Sequence, residues 1–285
     1  MHEEHHRFGK LGKPSVRTKE YKKRFSHLPM IFLSGTPTPE NYSQIYHQFW
    51  VSDYSPFKDY SNFYKWAKVF INVKKKYCGY ANVNDYSDAN IDLIKEHINK
   101  LMIDFTQQEA GFKSTINETI HEVLMNDKTY ELIKRLKKDK VIQGKEEVIL
   151  ADTGVKLMSK VHQLYSGTCK FESGNSMILD YSKAEYIRTK FFGEKIGIFY
   201  KFSEEYNVLK HIFGEKLTNS IDEFNNSDKN IALQIVSGRE GISLKNAKYL
   251  VYYNIDFSAT SYWQSRDRMT TIERTENEIH WIFAK

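Results

Sequence analysis

Residues 195–213 read KIGIFYKFSEEYNVLKHIF and place a short apolar run directly before a segment with helical spacing. The apolar run predicts a buried strand over 195–200, and the segment after it predicts a helix over 203–213. Three more apolar runs follow at similar intervals, at residues 231–235, 249–253 and 279–283. A helix beginning near Ser261 precedes the last of them. Strands that alternate with helices predict an α/β fold with a parallel sheet.

The N-terminal half has a different pattern, with one strand candidate and several helix candidates. Residues 28–33 form an apolar run that ends in the turn-like stretch 34–39, as a buried parallel strand would. We further predict three helices: one that begins at Asn41, one over 89–103 and one over 127–138. Residues 141–149 predict a hairpin.

Residues 54–76 are rich in aromatic and basic side chains, and from Tyr60 onward the aromatic residues recur every three or four positions. This spacing predicts an amphipathic helix. Its aromatic residues could stack on nucleobases while Lys74–Lys76 contact the phosphates of the nucleic acid. Alternatively, the aromatic residues could form a hydrophobic core. We favour the core, because most of them share one face.

The composition allows either one large domain or two ordinary domains in 285 residues. A net charge of +6 is compatible with a nucleic-acid partner. The two cysteines, Cys78 and Cys169, lie far apart and give neither a disulfide framework nor a zinc-type spacing, so a reducing cytosol is the simplest interpretation. We find no signal peptide and no apolar run near the roughly 20 residues that span a bilayer.

The N-terminus, His2-Glu3-Glu4-His5-His6, matches the H-E-x-x-H pattern of zinc proteases. That pattern requires a helix that places both histidines on one face, and here it begins at residue 2 and is soon followed by Gly9. We therefore disfavour a zinc hydrolase that uses His2, His5 and His6, but keep it as an alternative. Glu3 and His5 also fit the end of a D-E-x-H box, although His2 stands where that box has an aspartate, and imidazole is a poor ligand for Mg²⁺.

Five blocks of the sequence resemble the superfamily-two helicases, in particular the Swi/Snf-type and phage-like DEAD/H-box ATPases, and they follow the family's order. These blocks are residues 2–19, 33–46, 195–205, 237–244 and 262–268. The resemblance implies RecA-like parallel sheets flanked by helices. It also implies that ATP with Mg²⁺ binds between two lobes and that its hydrolysis is coupled to movement on nucleic acid, for which we favour DNA over RNA.

The resemblance also implies a division of the chain. Residues 1–120 would be the C-terminal part of the first RecA-like lobe with a helical insertion. Residues 121–180 would bridge the lobes, and residues 181–285 would form the second lobe. The phage-like features imply a cytoplasmic protein of a bacterial or phage-infected cell, without a membrane partner.

Site residues are carried over from these motifs. The resemblance makes Glu3, His5 and Arg268 catalytic, with Arg268 as an arginine finger that stabilises the charge of the transferred phosphoryl group. It assigns cofactor binding to Gly241, Gln264, Arg266 and Arg274, and coupling between hydrolysis and nucleic-acid binding to Ser34, Gly35 and Thr36. Gln264 and Arg268 lie four residues apart and therefore on one helix face. Thr271 occupies the position of the family's second finger, and Arg274 is our candidate replacement. Without the other motifs, Arg266, Arg268 and Arg274 would indicate only a basic helix end exposed to solvent.

A phosphate-binding loop of the form G-x-x-x-x-G-K-[ST] is missing from the 285 residues. The stretch 9–15 has glycines and a lysine, but the spacing is wrong and Pro14 removes a backbone donor. We therefore expect the isolated chain not to hydrolyse ATP and expect an N-terminal ATPase segment as its partner. The alternative is a non-catalytic nucleic-acid-binding fragment.

Overall fold

The computed structural model describes the backbone of residues 2–3 and all atoms of residues 8–35, 37–78, 81–238 and 241–285. The chain divides into two compact units, Met1–Thr106 and Gln107–Lys285. The elements of the first unit are, in chain order, β1 (His2–Glu3), α1 (Val16–Phe25), β2 (Phe32–Leu33), α2 (Ile45–Trp50), α3 (Phe63–Phe70), β3 (Lys74–Tyr77), β4 (Asn82–Asp85) and α4 (Ile91–Ile98).

Helix α3 supplies the aromatic core of the first unit. Asn62 caps its N-terminus by accepting a hydrogen bond from the backbone N–H of Lys65. Phe63, Trp66 and Phe70 are fully buried at helical spacing, and Trp66 lies 5.2 Å from the ring of Tyr46 between centroids. The prediction that this aromatic stretch forms a core is therefore confirmed.

The predicted helix of this stretch is wrong beyond Phe70. Ile71 is already extended, and residues 74–77 form strand β3, which pairs antiparallel with β4. The β-branched residues Ile71 and Val73 follow the end of the apolar helix face, and such residues favour extended backbone. The strand predicted over 28–33 is also shorter than expected, because only Phe32 and Leu33 pair, in parallel, with His2 and Glu3.

The second unit is built on a sheet of six strands, all parallel, in the order β11-β12-β10-β13-β14-β5. Its elements are β5 (Thr115–Val123), α5 (Asp127–Asp139), β6 (Val141–Gln143), β7 (Val148–Leu150), α6 (Gly154–Leu164), β8 (Thr168–Lys170), β9 (Ser176–Ile178), α7 (Ser182–Lys190), β10 (Ile196–Tyr200), α8 (Ser203–Phe213), β11 (Leu217–Thr218), α9 (Ile221–Asn226), β12 (Asn230–Gln234), α10 (Ile235–Gly238), β13 (Tyr249–Tyr252), α11 (Ala259–Arg266) and β14 (Glu276–Ala284).

The central strand β10 is buried on both faces, as its continuous apolar sequence requires. Ile196 and Ile198 join a core cluster with residues of α7 and α8, and Phe199 joins a second cluster that contains Phe224 of α9 and Leu244. Alternate residues of a strand point to opposite faces, so the two clusters cover the two sides of the sheet. The predicted α/β class with a parallel sheet is confirmed for the second unit.

The compact units differ from the division expected from the sequence. The expected boundary at residue 120 falls inside β5, which pairs with β14 from Thr115 to Val123. The expected bridging segment, residues 121–180, lies within the second unit and contains the hairpin β6–β7, which the sequence predicted. Within the described part of the chain, no helix combines the length and apolar character needed to cross a bilayer.

Candidate functional site

Arg268 lies next to the loop that follows Gly241, in a short 3-10 turn after α11. Its Nε donates to the carbonyl of Gln264 at 2.6 Å, and its Nη1 is 3.3 Å from the carbonyl of Ile242. The backbone N–H of Leu244 donates to the carbonyl of Arg268 at 2.7 Å. The structure thus brings together two of the sequence blocks, 237–244 and 262–268, and holds a half-buried guanidinium between them.

Gly241 occupies the left-handed region, with φ of +69°. Among the described residues other than its chain neighbours, none has a heavy atom within 4 Å of a Cβ built on Gly241, so the described surroundings leave space beside its backbone. Gly238 is the opposite case, because its Cβ would meet Leu233 at 2.7 Å. In the structure the four-residue helix α10 ends at Gly238, and residues 242–248 have no helix.

Gln264 is buried on α11, and Arg266, the last residue of the same helix, places its guanidinium carbon over the ring of Trp263, 4.1 Å from the centroid. Arg266 Nε is 3.6 Å from Asp267 Oδ1, which is an ionic contact but too long for a hydrogen bond. Burial raises the pKa of Asp267. Asp267 Oδ2 accepts a hydrogen bond of 3.0 Å from Gln107. The guanidinium of Arg266 therefore packs against the helix rather than forming a free basic tip.

Arg274 is bound to backbone carbonyls on the other side of the same loop. Its Nη1 donates to the carbonyl of Ala247 and its Nη2 to that of Lys248, both at 2.8 Å, and its Nε donates to that of Glu276 at 2.9 Å. This geometry favours a role in fixing the loop against β14. Its assignment to cofactor binding in place of Thr271 stays a prediction.

The first unit contains the remaining predicted site residues. The parallel pairing of β1 with β2 places Glu3 beside Leu33, directly before Ser34 and the exposed Gly35. The backbone of the D-E-x-H remnant therefore adjoins the S-G-T-P block. His5 and Thr36 lie outside the described residues, as does the side chain of Glu3, so their roles stay predictions.

A buried polar network that sequence reasoning missed lies at the carboxyl ends of β10 and β13. Glu205 of α8 accepts hydrogen bonds from the backbone N–H groups of Lys201 at 2.7 Å and Phe202 at 2.9 Å, and from the Asn254 amide at 2.6 Å. Asn254 Oδ1 is 2.5 Å from His162 Nε2. Asn254 lies two residues after the last residue of β13, Tyr252, and this position just beyond a strand end was the available signal.

Lys183 completes this network as a fully buried cation. Its Nζ donates to the carbonyl of Tyr253 and lies over the Tyr253 ring, 4.5 Å from the centroid. Burial lowers the pKa of Lys183 to about 8, and the negative charge of Glu205 opposes this shift. Burial and the nearby Lys201 lower the pKa of His162 to about 4, so His162 is neutral at pH 7.

A cavity of about 360 Å³ opens beside this network, at the carboxyl ends of β13 and β14. Its lining includes His162, Lys183, Asn254, Phe257 and Trp281. Ligands of open α/β sheets bind at this edge of the sheet. No group of three or more potential metal-ligating side chains occurs within the described residues. The side chains of His2, His5 and His6 are not among those described, so the zinc pattern lies outside this finding.

Comparison with known proteins gives one family match and several structural neighbours. Residues 172–272 match the helicase conserved C-terminal domain. The C-terminal part of the Fun30 ATPase domain aligns with 61% of this chain and 86% of its own, at 16% identity and a TM-score of 0.42. A comparison with curated proteins found no match.

Two further neighbours are SWI2/SNF2 ATPase cores from Sulfolobus solfataricus. The core domain alone aligns over 97% of this chain at 14% identity and a TM-score of 0.42. The core in complex with dsDNA aligns over 99% at 14% identity and a TM-score of 0.38. This chain spans 60% and 62% of the lengths of those two chains. The stretch that matches the family model contains β10, β13 and the hydrogen bond between Arg268 and Ile242, and residues 172–272 are therefore similar to a helicase conserved C-terminal domain.

Proposed function

We propose that the chain is part of an ATP-dependent nucleic-acid helicase or translocase, in which residues 172–272 contribute the arginine-finger side of an ATPase site. One observation carries this proposal, namely the hydrogen bond between the Arg268 guanidinium and the carbonyl of Ile242, beside the open backbone of Gly241. An arginine and an accessible backbone turn, held within one loop–helix pair, suit recognition of a phosphate chain.

The residues of this pair have distinct roles in the proposal. The Gln264 carbonyl orients Arg268 through its Nε, and Nη1 contacts Ile242, which restricts the guanidinium to one direction. A preoriented arginine stabilises negative charge on a phosphoryl group without reorganising at the moment of transfer. Gly241 lets the backbone approach an anion closely because no side chain intervenes. ATP with Mg²⁺ would supply the transferable phosphoryl group.

The nucleic-acid partner and the need for a further ATPase segment are parts of the same proposal. The net charge of +6 supports a polyanionic partner, and we favour DNA over RNA. Since the 285 residues have no G-x-x-x-x-G-K-[ST] loop, the chain alone lacks a lysine and a backbone nest for the β-phosphate. We therefore propose that turnover requires a segment that carries this loop.

The test is ATP turnover, measured with and without single-stranded and duplex DNA. The 285-residue chain is compared with a longer protein in which a segment carrying the loop precedes it, and with Arg268→Ala in that longer protein. We expect turnover only from the longer protein, and a loss of at least about 10³-fold for Arg268→Ala, as for other arginine fingers. Exposed Arg135 on α5 provides the matched control, because Arg135→Ala removes the same charge away from the site.

Two outcomes would contradict this function. If Arg268→Ala and Arg135→Ala have the same turnover, Arg268 is not a finger. If the longer protein binds DNA but does not hydrolyse ATP, the chain is a non-catalytic nucleic-acid-binding module with a helicase fold, which is the second candidate. The His2 residue in place of the box aspartate favours that second candidate.

A further inference from the structure

The hairpin β3–β4 extends from the first unit with almost no buried surface. All four residues of β3, Lys74–Tyr77, are exposed, and so are Asn82, Val83 and Asn84 of β4. An isolated two-stranded hairpin is at best marginally stable in water, and this hairpin buries no apolar face that would offset the entropy of ordering it.

The base of the hairpin, in contrast, is firmly attached to the core. Lys74 Nζ forms an ion pair of 2.7 Å with Asp88, which also accepts a 3.1 Å hydrogen bond from the side chain of Asn72. The backbone N–H of Asn72 donates to the carbonyl of Asp88 at 2.8 Å, and the hydroxyl of Ser43 donates to the carbonyl of Tyr86 at 2.5 Å. The result is an exposed ribbon that is held rigidly at its root.

Beyond Lys74 the ribbon carries two more cations, Lys75 and Lys76. Hydrogen bonds from Ser87, and to a smaller extent the charge of Lys76, lower the pKa of Asp85 on the opposite strand. Within the described residues, no carboxylate lies within ion-pair distance of Lys75 or Lys76, while the opposite strand presents Asn84 and Val83 at the paired positions. Alternation along the strands places Lys75 and Tyr77 on the same face as Asn84 and Asn82. One face therefore combines a cation, an aromatic ring and two amides, and the opposite face presents Lys76 beside Val83, so the ribbon offers one lysine on each face beyond Lys74.

We infer that the β3–β4 hairpin is a nucleic-acid-binding arm in which Lys75 and Lys76 contact phosphates and Tyr77 stacks on a base. Lysines supply the salt-dependent part of such binding, and aromatic rings on exposed strands supply base stacking. A two-stranded ribbon also fits the width of a duplex major groove. A membrane surface would require an apolar face, which the amide-bearing face lacks. This inference rests on the proposed nucleic-acid partner but assigns it to an element outside the helicase C-terminal domain.

The test uses the 285-residue chain and fluorescently labelled DNA of about 20 nucleotides, single-stranded or duplex, with anisotropy measured between about 50 and 200 mM salt. We expect Lys75→Ala/Lys76→Ala to weaken binding and to reduce the slope of log K against log salt by about 2. We expect Tyr77→Ala to weaken single-strand binding roughly tenfold and duplex binding less. The matched control is Lys65→Ala/Lys68→Ala, which removes two exposed lysines from α3.

The outcomes separate this inference from the proposed function. If the wild-type chain binds DNA and the hairpin variant behaves as the α3 control does, the hairpin is not an arm, and the proposed function stands. If the wild-type chain binds neither form of DNA, both fail. If anionic phosphatidylserine vesicles bind the wild-type chain through Lys75 and Lys76 while DNA binding is unchanged in the variant, the hairpin contacts membranes and the inference is overturned.

Discussion

At the scale of single residues, neighbouring groups of the same type have different surroundings and therefore different roles. Arg268 and Arg274 lie six residues apart in sequence, on either side of one loop. From the sequence alone, either guanidinium could bind a phosphate. Arg268 is half-buried and donates to the carbonyls of Gln264 and Ile242, whereas Arg274 donates to carbonyls of residues 245–248 and to that of Glu276. Hydrogen bonding, rather than residue type, distinguishes the proposed finger from a residue that fixes the loop.

His47 gives a prediction at this scale. It is buried on α2, and its Nδ1–H donates to the carbonyl of Lys10 at 2.5 Å. Burial lowers the pKa of His47 from 6.5 to about 4. Between these values the unfolded chain binds a proton that the folded chain does not, so stability falls as the pH drops from about 6.5 through 4. We expect this group to cost about 1–2 kcal/mol of unfolding free energy between pH 7 and pH 5.

Urea denaturation of wild type and His47→Gln at both pH values measures this cost, because the variant lacks the titrating group and should lose correspondingly less stability at pH 5. Exposed His27 serves as the control, and His27→Gln should keep the wild-type difference. Equal pH sensitivity of His47→Gln and wild type would show that His47 is not the source.

At the scale of elements, helix α8 is tied to the sheet through one carboxylate. Glu205 lies in the first turn of α8, reaches back to the N–H groups of Lys201 and Phe202, and also accepts from Asn254 beyond the end of β13. Burial raises the pKa of Glu205, and Lys183 favours its charged form. Helix, loop and two strands are thus joined by a buried ionic group that alternative packings would leave unsatisfied.

We predict that Glu205 and Lys183 are strongly coupled in their contributions to the free energy of unfolding. Glu205→Leu removes the negative charge that favours the cationic form of buried Lys183 and leaves the donors of Lys201, Phe202 and Asn254 unpaired, so it should cost about 3–5 kcal/mol of unfolding free energy. Lys183→Met should cost a similar amount, because it leaves the carboxylate without its cation. The double variant should cost clearly less than the sum, since both charges are gone. A double-mutant cycle by urea denaturation measures the coupling, and additive costs would show that the two groups act independently.

At the scale of the whole molecule, the compact units predict where the chain can be divided. Strand β5 pairs with β14 from Thr115 to Val123, and Val123 belongs to the core of the second unit. We expect residues 107–285 to fold alone and to unfold cooperatively on heating, because the complete six-stranded sheet lies within them. The fragment 121–285 should be less stable and aggregate, since loss of most of β5 exposes the edge of β14.

Circular dichroism and size-exclusion chromatography of the two fragments test this prediction. Equal melting temperatures would show that β5 is dispensable and that the boundary expected from the sequence at residue 120 describes the folding unit better than the boundary at 106.

The sequence by itself determined the parallel α/β class, the aromatic core of α3 and the hairpin β6–β7, because each depends on local periodicity or on a recognisable turn between strands. It did not reveal that β5 joins the sheet of the second unit, since its partner β14 lies about 160 positions away and only strand pairing relates them. It also missed the network of Glu205, Asn254 and Lys183. Those residues look like ordinary surface polar residues until the sheet brings its strand ends together and excludes water, and only tertiary structure decides which charges are buried.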